Sequence, residues 1–355
     1  MKKLNLNRNH ILLIFFGLQL IFWLSSCDGA AKRAQEQARQ DSIEAARQEA
    51  ERLAEELERE RTRPRTAADI QIRKELTYTD HSLEDTYEYE GTTRSFQWDK
   101  IKEKLAHIET FQRRTLDYAV LQNYKNMNGE SPLVKKWVRN DYTRVSDTLG
   151  TERYQSTPLF IPGERDAPTI YGRDGSLVAL MSSDTLDYVQ FEGLSLDGTW
   201  EVPKRYIKAI GRDIRLDHVL VVDVTNQNIT ALEKNEEEWL IRSMNPATTG
   251  VHQPPYAHET PLGIFVVQEQ KEKMYFLKDG SRTEIAGFAP YASRFTNGGY
   301  IHGVPTNYPQ TSIIEYSWSL GTVPRSHMCV RNASSHAKFV YEMVEPMRAL
   351  VVVIE

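Results

Sequence analysis

The sequence predicts a mainly β protein. A β-sandwich is expected over residues 212–355, preceded by a small β-barrel-like module over 141–211, an α-helical segment over 67–140, a helical stalk over 27–66 and a leader over 1–26. Three observations carry this. From Arg212 onward Val, Ile, Tyr and Thr recur in alternating patterns, with apolar runs of strand length at Val219–Val222 and Ala349–Ile354. Between 141 and 211 short apolar runs are separated by Gly-Arg-Asp-Gly and Leu-Asp-Gly turns. Asp28–Arg65 consists mostly of Ala, Glu, Gln and Arg, all good helix formers, and has no proline before Pro64.

The chain has 355 residues, enough for two or three domains, and a formal net charge of −5. No basic stripe interleaved with aromatics argues for nucleic acid. The two cysteines lie far apart and no His-x-x-x-His pair occurs, so neither a metal nor another cofactor is expected.

Met1–Leu24 reads as a secretory signal. Lys2, Lys3 and Arg8 give a basic start, and the apolar run Ile11–Leu24 is shorter than the about 20 residues a membrane-spanning helix needs. It ends in Leu24-Ser25-Ser26-Cys27, which resembles the lipobox of bacterial lipoproteins. The resemblance implies a mature chain beginning at a lipidated Cys27, anchored in a membrane of the cell envelope and facing the periplasm. With Cys27 blocked, Cys329 has no partner for an internal disulfide.

In the stalk, Ile43, Ala46, Ala50, Leu53 and Leu57 follow a heptad seam too short for a firm coiled coil, so a solvated single helix is the simpler reading. About 30 helical residues would reach roughly 45 Å from the anchor. Ala67–Arg94 reads as irregular. Ser95 is the expected N-cap of a buried helix whose stripe is Trp98, Ile101, Leu105, Ile108, Leu116 and Ala119, with His107 exposed and Asn123–Pro132 as breaker. Strands follow at Leu177–Met181, Tyr188–Phe191 and Trp200–Val202. The close of this region, Leu196-Asp197-Gly198-Thr199-Trp200 through Tyr206-Ile207-Lys208, loosely resembles the end of a bacterial SH3-like barrel, which implies docking to the wall or a partner.

The chemistry concentrates in Arg325-Ser326-His327-Met328-Cys329-Val330-Arg331-Asn332. An unperturbed thiol of pKa about 8.5 is only a few per cent thiolate near neutrality, and neighbouring cations or a base raise that share. His327 and Arg331 flank the sulfur, and His302 stands upstream in Gly298-Gly299-Tyr300-Ile301-His302-Gly303. A lone cysteine is more often a small buried hydrophobe.

Its neighbours change that weighting. The stretch resembles the active-site signature of the L,D-transpeptidases of YkuD type: a histidine followed by Ser/Thr-His-Gly-Cys, an apolar residue, then Arg or Asn. Leu216–Asp223, Thr248-Thr249-Gly250, Glu259–Phe265, Arg294-Phe295 and Gly299–Gly303 are similar to the family's other segments and stand in the same order. The resemblance implies a YkuD-like sandwich with Cys329 as nucleophile and His302 as base, oriented by the Gly303 carbonyl. It implies His327 as the second site histidine, the backbone at Met328 and Cys329 as oxyanion donors, Arg331 as a carboxylate fork, and Tyr300, Ser326 and Asn332 around the substrate.

The sequence departs from the pattern twice. Met328 replaces the usual glycine, and its side chain argues against a positive φ there. His302 stands further before Cys329 than is usual, and the apolar residues of Asn307–Leu320 in the gap suggest either a lid over the cleft or packing on the sheet. His252 and His258 are expected at the surface, His336 is expected to be structural on a helix Ser334–Met343, and His218 carries no signal. The function implied is a lipid-anchored L,D-transpeptidase acting on peptidoglycan tetrapeptide stems, with neighbouring stems or wall-attached proteins as acceptors. The alternatives are an L,D-carboxypeptidase on the same fold and a non-catalytic peptidoglycan-binding lipoprotein.

Overall fold

The computed structural model describes residues 29–114, 116–139, 145–148, 150–212, 214–253 and 256–355. The expected leader and Cys27 lie outside them. The chain forms two compact units, Met1–Arg61 and Thr62–Glu355. In the first, helix α1 (Gly29–Thr62) carries its apolar side chains outward, Leu57 at 65% exposure, as a solvated helix does. Pro64 ends it, because the residue before a proline is steered out of the helical region. Among the described residues no helix is long and apolar enough to cross a membrane.

The second unit is built on a six-stranded sheet in the order Gln71–Lys74, Glu238–Pro246, Asn228–Asn235, His218–Asp223, Ala349–Ile354, Gly263–Val266. Its central pair, His218–Asp223 and Ala349–Ile354, runs parallel. These strands read as unbroken apolar runs because both faces are covered. Val219, Val221, Leu350 and Val352 enter one core with Ile101, Leu105 and Ile108 of helix α2 (Trp98–Gln112). Leu220, Val222, Val351 and Val353 enter another, with Phe295, Ile301, Val330 and Val340. That second core joins the sheet to helix α3 (Ser334–Met343) and to a second sheet, ordered Glu269–Leu277, Ile285–Thr296, Gly299–His302, Val330–Arg331, with Thr306–Asn307 also paired to Ile285–Thr296.

A third sheet is antiparallel, in the order Leu196–Pro203, Tyr188–Gly193, Leu177–Leu180, Tyr118–Leu121, Ile207–Gly211. It does not close, which corrects the expected barrel-like module. After Leu196–Pro203 the turn Lys204–Tyr206 carries the chain to the opposite edge of the sheet rather than back beside the same strand. The sheet's faces are spent on packing. Tyr118, Val120, Leu177 and Ala179 join the core of α2, whereas Ala119, Leu121, Val178 and Leu180 build a core of their own with Phe191 and Tyr206.

The expectation of a mainly β protein is corrected with it, because the architecture is mixed α/β, several sheets with three α-helices among the described residues. Helix α2 also stops earlier than the stripe suggests. Tyr118–Leu121 is fully buried, side chains on both faces, and an extended strand serves two cores at once. Gln97 rather than Ser95 sits at the N-cap, and the stretch expected to be irregular contains the strand Gln71–Lys74 and the hairpin Thr86–Tyr89/Thr92–Ser95.

Candidate active site

Two short strands of the second sheet gather the candidate residues. Gly299–His302 pairs in parallel with Val330–Arg331, Ile301 opposite Val330 and His302 opposite Arg331. Cys329 immediately precedes the second of these strands. Tyr300, His302, Ser326, His327, Cys329 and Arg331 therefore line one cleft of about 1180 Å³.

Burial governs the electrostatics there. The Cys329 thiol lies 3.5 Å from the Gly298 carbonyl oxygen. Burial pushes it up from its ordinary value, while the Tyr300 backbone N–H and the Arg331 charge pull it back. His302 is 3% exposed, and its Nδ1 lies 2.6 Å from the Gly303 carbonyl. A carbonyl only accepts, so Nδ1 carries the proton and Nε2 is left as the basic nitrogen. Burial lowers the imidazole to about 4, Arg331 adding to the shift and the Gly303 bond opposing it. At neutral pH the resting site therefore holds a neutral imidazole and a protonated thiol. The Arg331 guanidinium is itself pushed down by burial, against the Cys329 charge, and its Nε is buried without a hydrogen-bond partner.

A clamp holds the loop before Cys329. Thr248 and Arg331 exchange backbone hydrogen bonds of 3.0 and 2.9 Å, and Arg325 and Ser326 both donate to Thr249 O. The Thr260 hydroxyl donates to Met328 O at 2.7 Å and accepts from Gly250 N at 2.8 Å. A Cβ on Gly250 would stand 2.2 Å from His258 O and 2.7 Å from the Met328 Cα, so only glycine permits this approach. The Ser326 hydroxyl donates to the Cys329 carbonyl. Within this clamp Met328 takes φ +117°, correcting the expectation that its side chain keeps it out of that region. Bonds at both ends of the loop fix the backbone path whichever residue occupies it.

The remaining candidates are dispersed. His327 is half-exposed at the cleft rim, its Nε2 3.3 Å from Asp279 Oδ2. Asn332 is fully buried outside the cleft, its Oδ1 3.1 Å from His336 Nδ1, and His336 also meets Ser243 Oγ at 2.9 Å. His252 pairs with Glu259 at the surface. A Cβ on Gly303 would meet Ser334 Oγ at 2.5 Å and Pro290 Cγ at 2.8 Å. The segment Asn307–Leu320 is tied to the body: Ile314 packs with Val304, Leu320 and Ala333, Ser335 donates to Glu315, and Tyr316 lies against His81. Asn307 and Ser317 are the two residues of this segment that line the cleft.

Sequence reasoning missed several lining residues. Lys271 lies 3.3 Å from the Tyr300 hydroxyl, which donates to Glu269 at 2.6 Å. Tyr124 and Lys125 reach the cleft from the stretch read only as a helix breaker, and Tyr256 from the loop beside His252. Glu269–Leu277 runs five polar residues and then four apolar ones, so no alternation marks Lys271, and nothing local marks Tyr124.

Residues 217–354 match the family model of the L,D-transpeptidase catalytic domain, YkuD. No curated protein sequence matches the chain. Among solved structures, an L,D-transpeptidase from Mycobacterium smegmatis is 17% identical, over 50% of this chain and 82% of that one, with a TM-score of 0.32. An L,D-transpeptidase from Mycobacterium tuberculosis H37Rv is 18% identical, over 52% and 92%, TM-score 0.32. A fused Zn-dependent amidase/peptidase from Clostridium acetobutylicum ATCC 824 is 17% identical at TM-score 0.28, and the chain spans 52% of its length. Likenesses this low add nothing to the reading of the site. The family match holds most of the residues that line the cleft, Cys329, His302 and Arg331 among them, and it assigns the C-terminal region of this chain, residues 217–354, to the YkuD-type L,D-transpeptidase catalytic domain.

Proposed function

We propose that this chain is a cysteine acyltransferase, an L,D-transpeptidase acting on the tetrapeptide stems of peptidoglycan. One observation carries the reading: a thiol, a neutral imidazole with its Nε2 free to accept, and a buried guanidinium with an unpaired Nε line the same cleft. The Cys329 sulfur attacks the carbonyl after the third stem residue as His302 Nε2 takes its proton. Backbone N–H groups at Met328 and Cys329 receive the developing oxyanion. The proton passes to the leaving amine of D-alanine and a thioester remains. An amine on a second stem, or on a wall-attached protein, then attacks the thioester and frees the sulfur.

Because the resting thiol is held up and the imidazole down, proton transfer accompanies attack rather than preceding it as a standing ion pair. Arg331 is suited to a stem carboxylate, its fork bonding both oxygens. His327, at the rim beside Asp279, supports the loop rather than the proton path. Cys27, lipidated, would hold the domain at the periplasmic face of a membrane, with α1 as the stalk.

Incubating the purified protein with tetrapeptide-bearing peptidoglycan tests this, with cross-linked dimers and released D-alanine as the expected products. Free tripeptides without dimers would instead show an L,D-carboxypeptidase, and unchanged substrate a binding protein. Cys329→Ala should remove all turnover while the protein stays folded, and a carbapenem should add by mass to the wild type alone. An equal adduct on the mutant would place the nucleophile elsewhere.

A further inference from the structure

The cleft is not built from residues 217–354 alone. The turn Tyr124–Asn126 lies before the third sheet's hairpins, yet Tyr124 and Lys125 line the cavity that holds Cys329. The turn is costly to form. Lys125 has φ +51° and Asn126 φ +62°, two successive side-chain-bearing residues in the left-handed region. Such strain persists only where the surroundings over-determine it, and it gathers at functional sites.

The surroundings here centre on Asp174, fully buried in the turn that follows the strand Ile170–Arg173. Its Oδ1 accepts from Asn123 N at 3.0 Å and Tyr124 N at 3.1 Å. Its Oδ2 accepts from Arg294 Nη1 at 2.6 Å, Gln268 Nε2 at 2.8 Å and Asn297 N at 3.1 Å. One carboxylate thus fixes the turn to the strand ends that lead into Gly299–His302. Gly175 makes the approach possible, since a Cβ there would stand 2.0 Å from Phe295 O. Arg294 in turn lies over the Tyr124 ring at 4.6 Å, pressing it into the cleft wall beside Gly298, whose carbonyl meets the Cys329 sulfur.

Lys125 stands exposed at the mouth of the cleft, 5.2 Å from its neighbour's ring, and no carboxylate pairs with it among the described residues. Lys271, the other lysine near Tyr300, is already taken by Glu269 at 3.2 Å. Among the described residues, three cations of the cleft therefore lack a carboxylate partner, Arg331 inside it and Lys125 and Arg282 exposed at its lining, and only Lys125 is held there by a strained turn fixed to a buried carboxylate.

We propose that the Tyr124–Lys125 turn, held by Asp174, is an anion subsite of the catalytic cleft, in which Lys125 binds a carboxylate of the peptide substrate and sets its affinity. This rests on the stem-peptide reading above and deepens it: the chain preceding the family domain supplies part of substrate selection. Tyr124 forms the wall and Asp174 is a positioning residue.

The test is steady-state turnover of a soluble disaccharide tetrapeptide by wild type, Lys125→Ala and Lys125→Glu, beside the rate at which neutral iodoacetamide alkylates Cys329. Losing one partly exposed charge pair should raise KM about fivefold in Lys125→Ala, and charge reversal about thirtyfold in Lys125→Glu. The kcat and the alkylation rate should stay within about twofold of wild type, and the KM differences should shrink at high salt. A substrate with its carboxylates amidated should no longer distinguish the three proteins. A KM for Lys125→Glu within twofold of wild type overturns the subsite while leaving the transpeptidase reading intact. A wild type that neither turns the stem over nor is protected by it from alkylation overturns both.

Discussion

Met328 sits at φ +117° one residue before Cys329, and a side chain there strains the backbone by about 1–3 kcal/mol. Glycine relieves the strain but adds freedom to the unfolded chain, so the two effects partly cancel. Met328→Gly should stabilise the protein by about 1 kcal/mol and leave acylation of Cys329 within a few-fold, measured by urea titration and adduct formation. Destabilisation would show that the methionine side chain contributes packing that outweighs the strain. The case also marks a limit of the sequence. That Cys329, His302 and Arg331 share a cleft was legible because their types and order mark them locally. The backbone of Met328 was not, because its conformation is set by Thr260 and Gly250, which belong to another loop. Asn332 misled for a similar reason: it adjoins the site in sequence, but its side chain turns inward to His336.

At the scale of elements, the loop before Cys329 is stitched to Thr248–Gly250 by backbone bonds and by the Thr260 hydroxyl bridging Gly250 N and Met328 O. Thr260→Val keeps the shape and removes both bonds, leaving a buried donor and acceptor unsatisfied at about 1–3 kcal/mol. The variant should lose stability of that order in a urea titration, and its kcat should fall at least about tenfold as the proposed oxyanion donors at Met328 and Cys329 lose their aim. An unchanged kcat would mean that Ser326 and the strand pairing position the loop unaided. Elements were readable where their signal is local. The strands at His218–Asp223 and Ala349–Ile354 follow from apolar runs, and Ser334–Met343 from helical periodicity. The third sheet's topology was not readable. Whether Ile207–Gly211 closes a barrel or crosses to Tyr118–Leu121 depends on a pairing between residues distant in sequence. Tyr118–Leu121, with no break in apolar character, fits a helical stripe and a buried strand equally well.

Across the whole second unit, helix α2 stands in a core shared by the six-stranded sheet and the third sheet, so the region before the family domain is part of the same packing. Two imidazoles are buried there without charge. His302 is lowered to about 4 and His336 to about 3, in both cases chiefly by burial. An unfolded histidine titrates near 6.5, so the unfolded chain binds protons in a range where the folded one does not. Their stabilising contribution is thus fully present above about pH 6.5 and is lost as pH falls from there towards 4 for His302 and 3 for His336. Carboxylates do not obscure the upper part of this window, because unfolded Asp and Glu protonate near pH 4. Unfolding free energy should fall by about 2–4 kcal/mol between pH 7 and pH 5, as the two shifts together imply. Urea titrations at half-unit steps would measure it. His336→Gln, which can still reach Ser243, should be less stable at pH 7 and show roughly half the wild-type slope between pH 6.5 and 5. A wild type whose stability is flat over that range would mean that one or both imidazoles reach water and take a proton in the folded state. The base that the proposed acylation requires would then be partly charged at the pH where it has to accept.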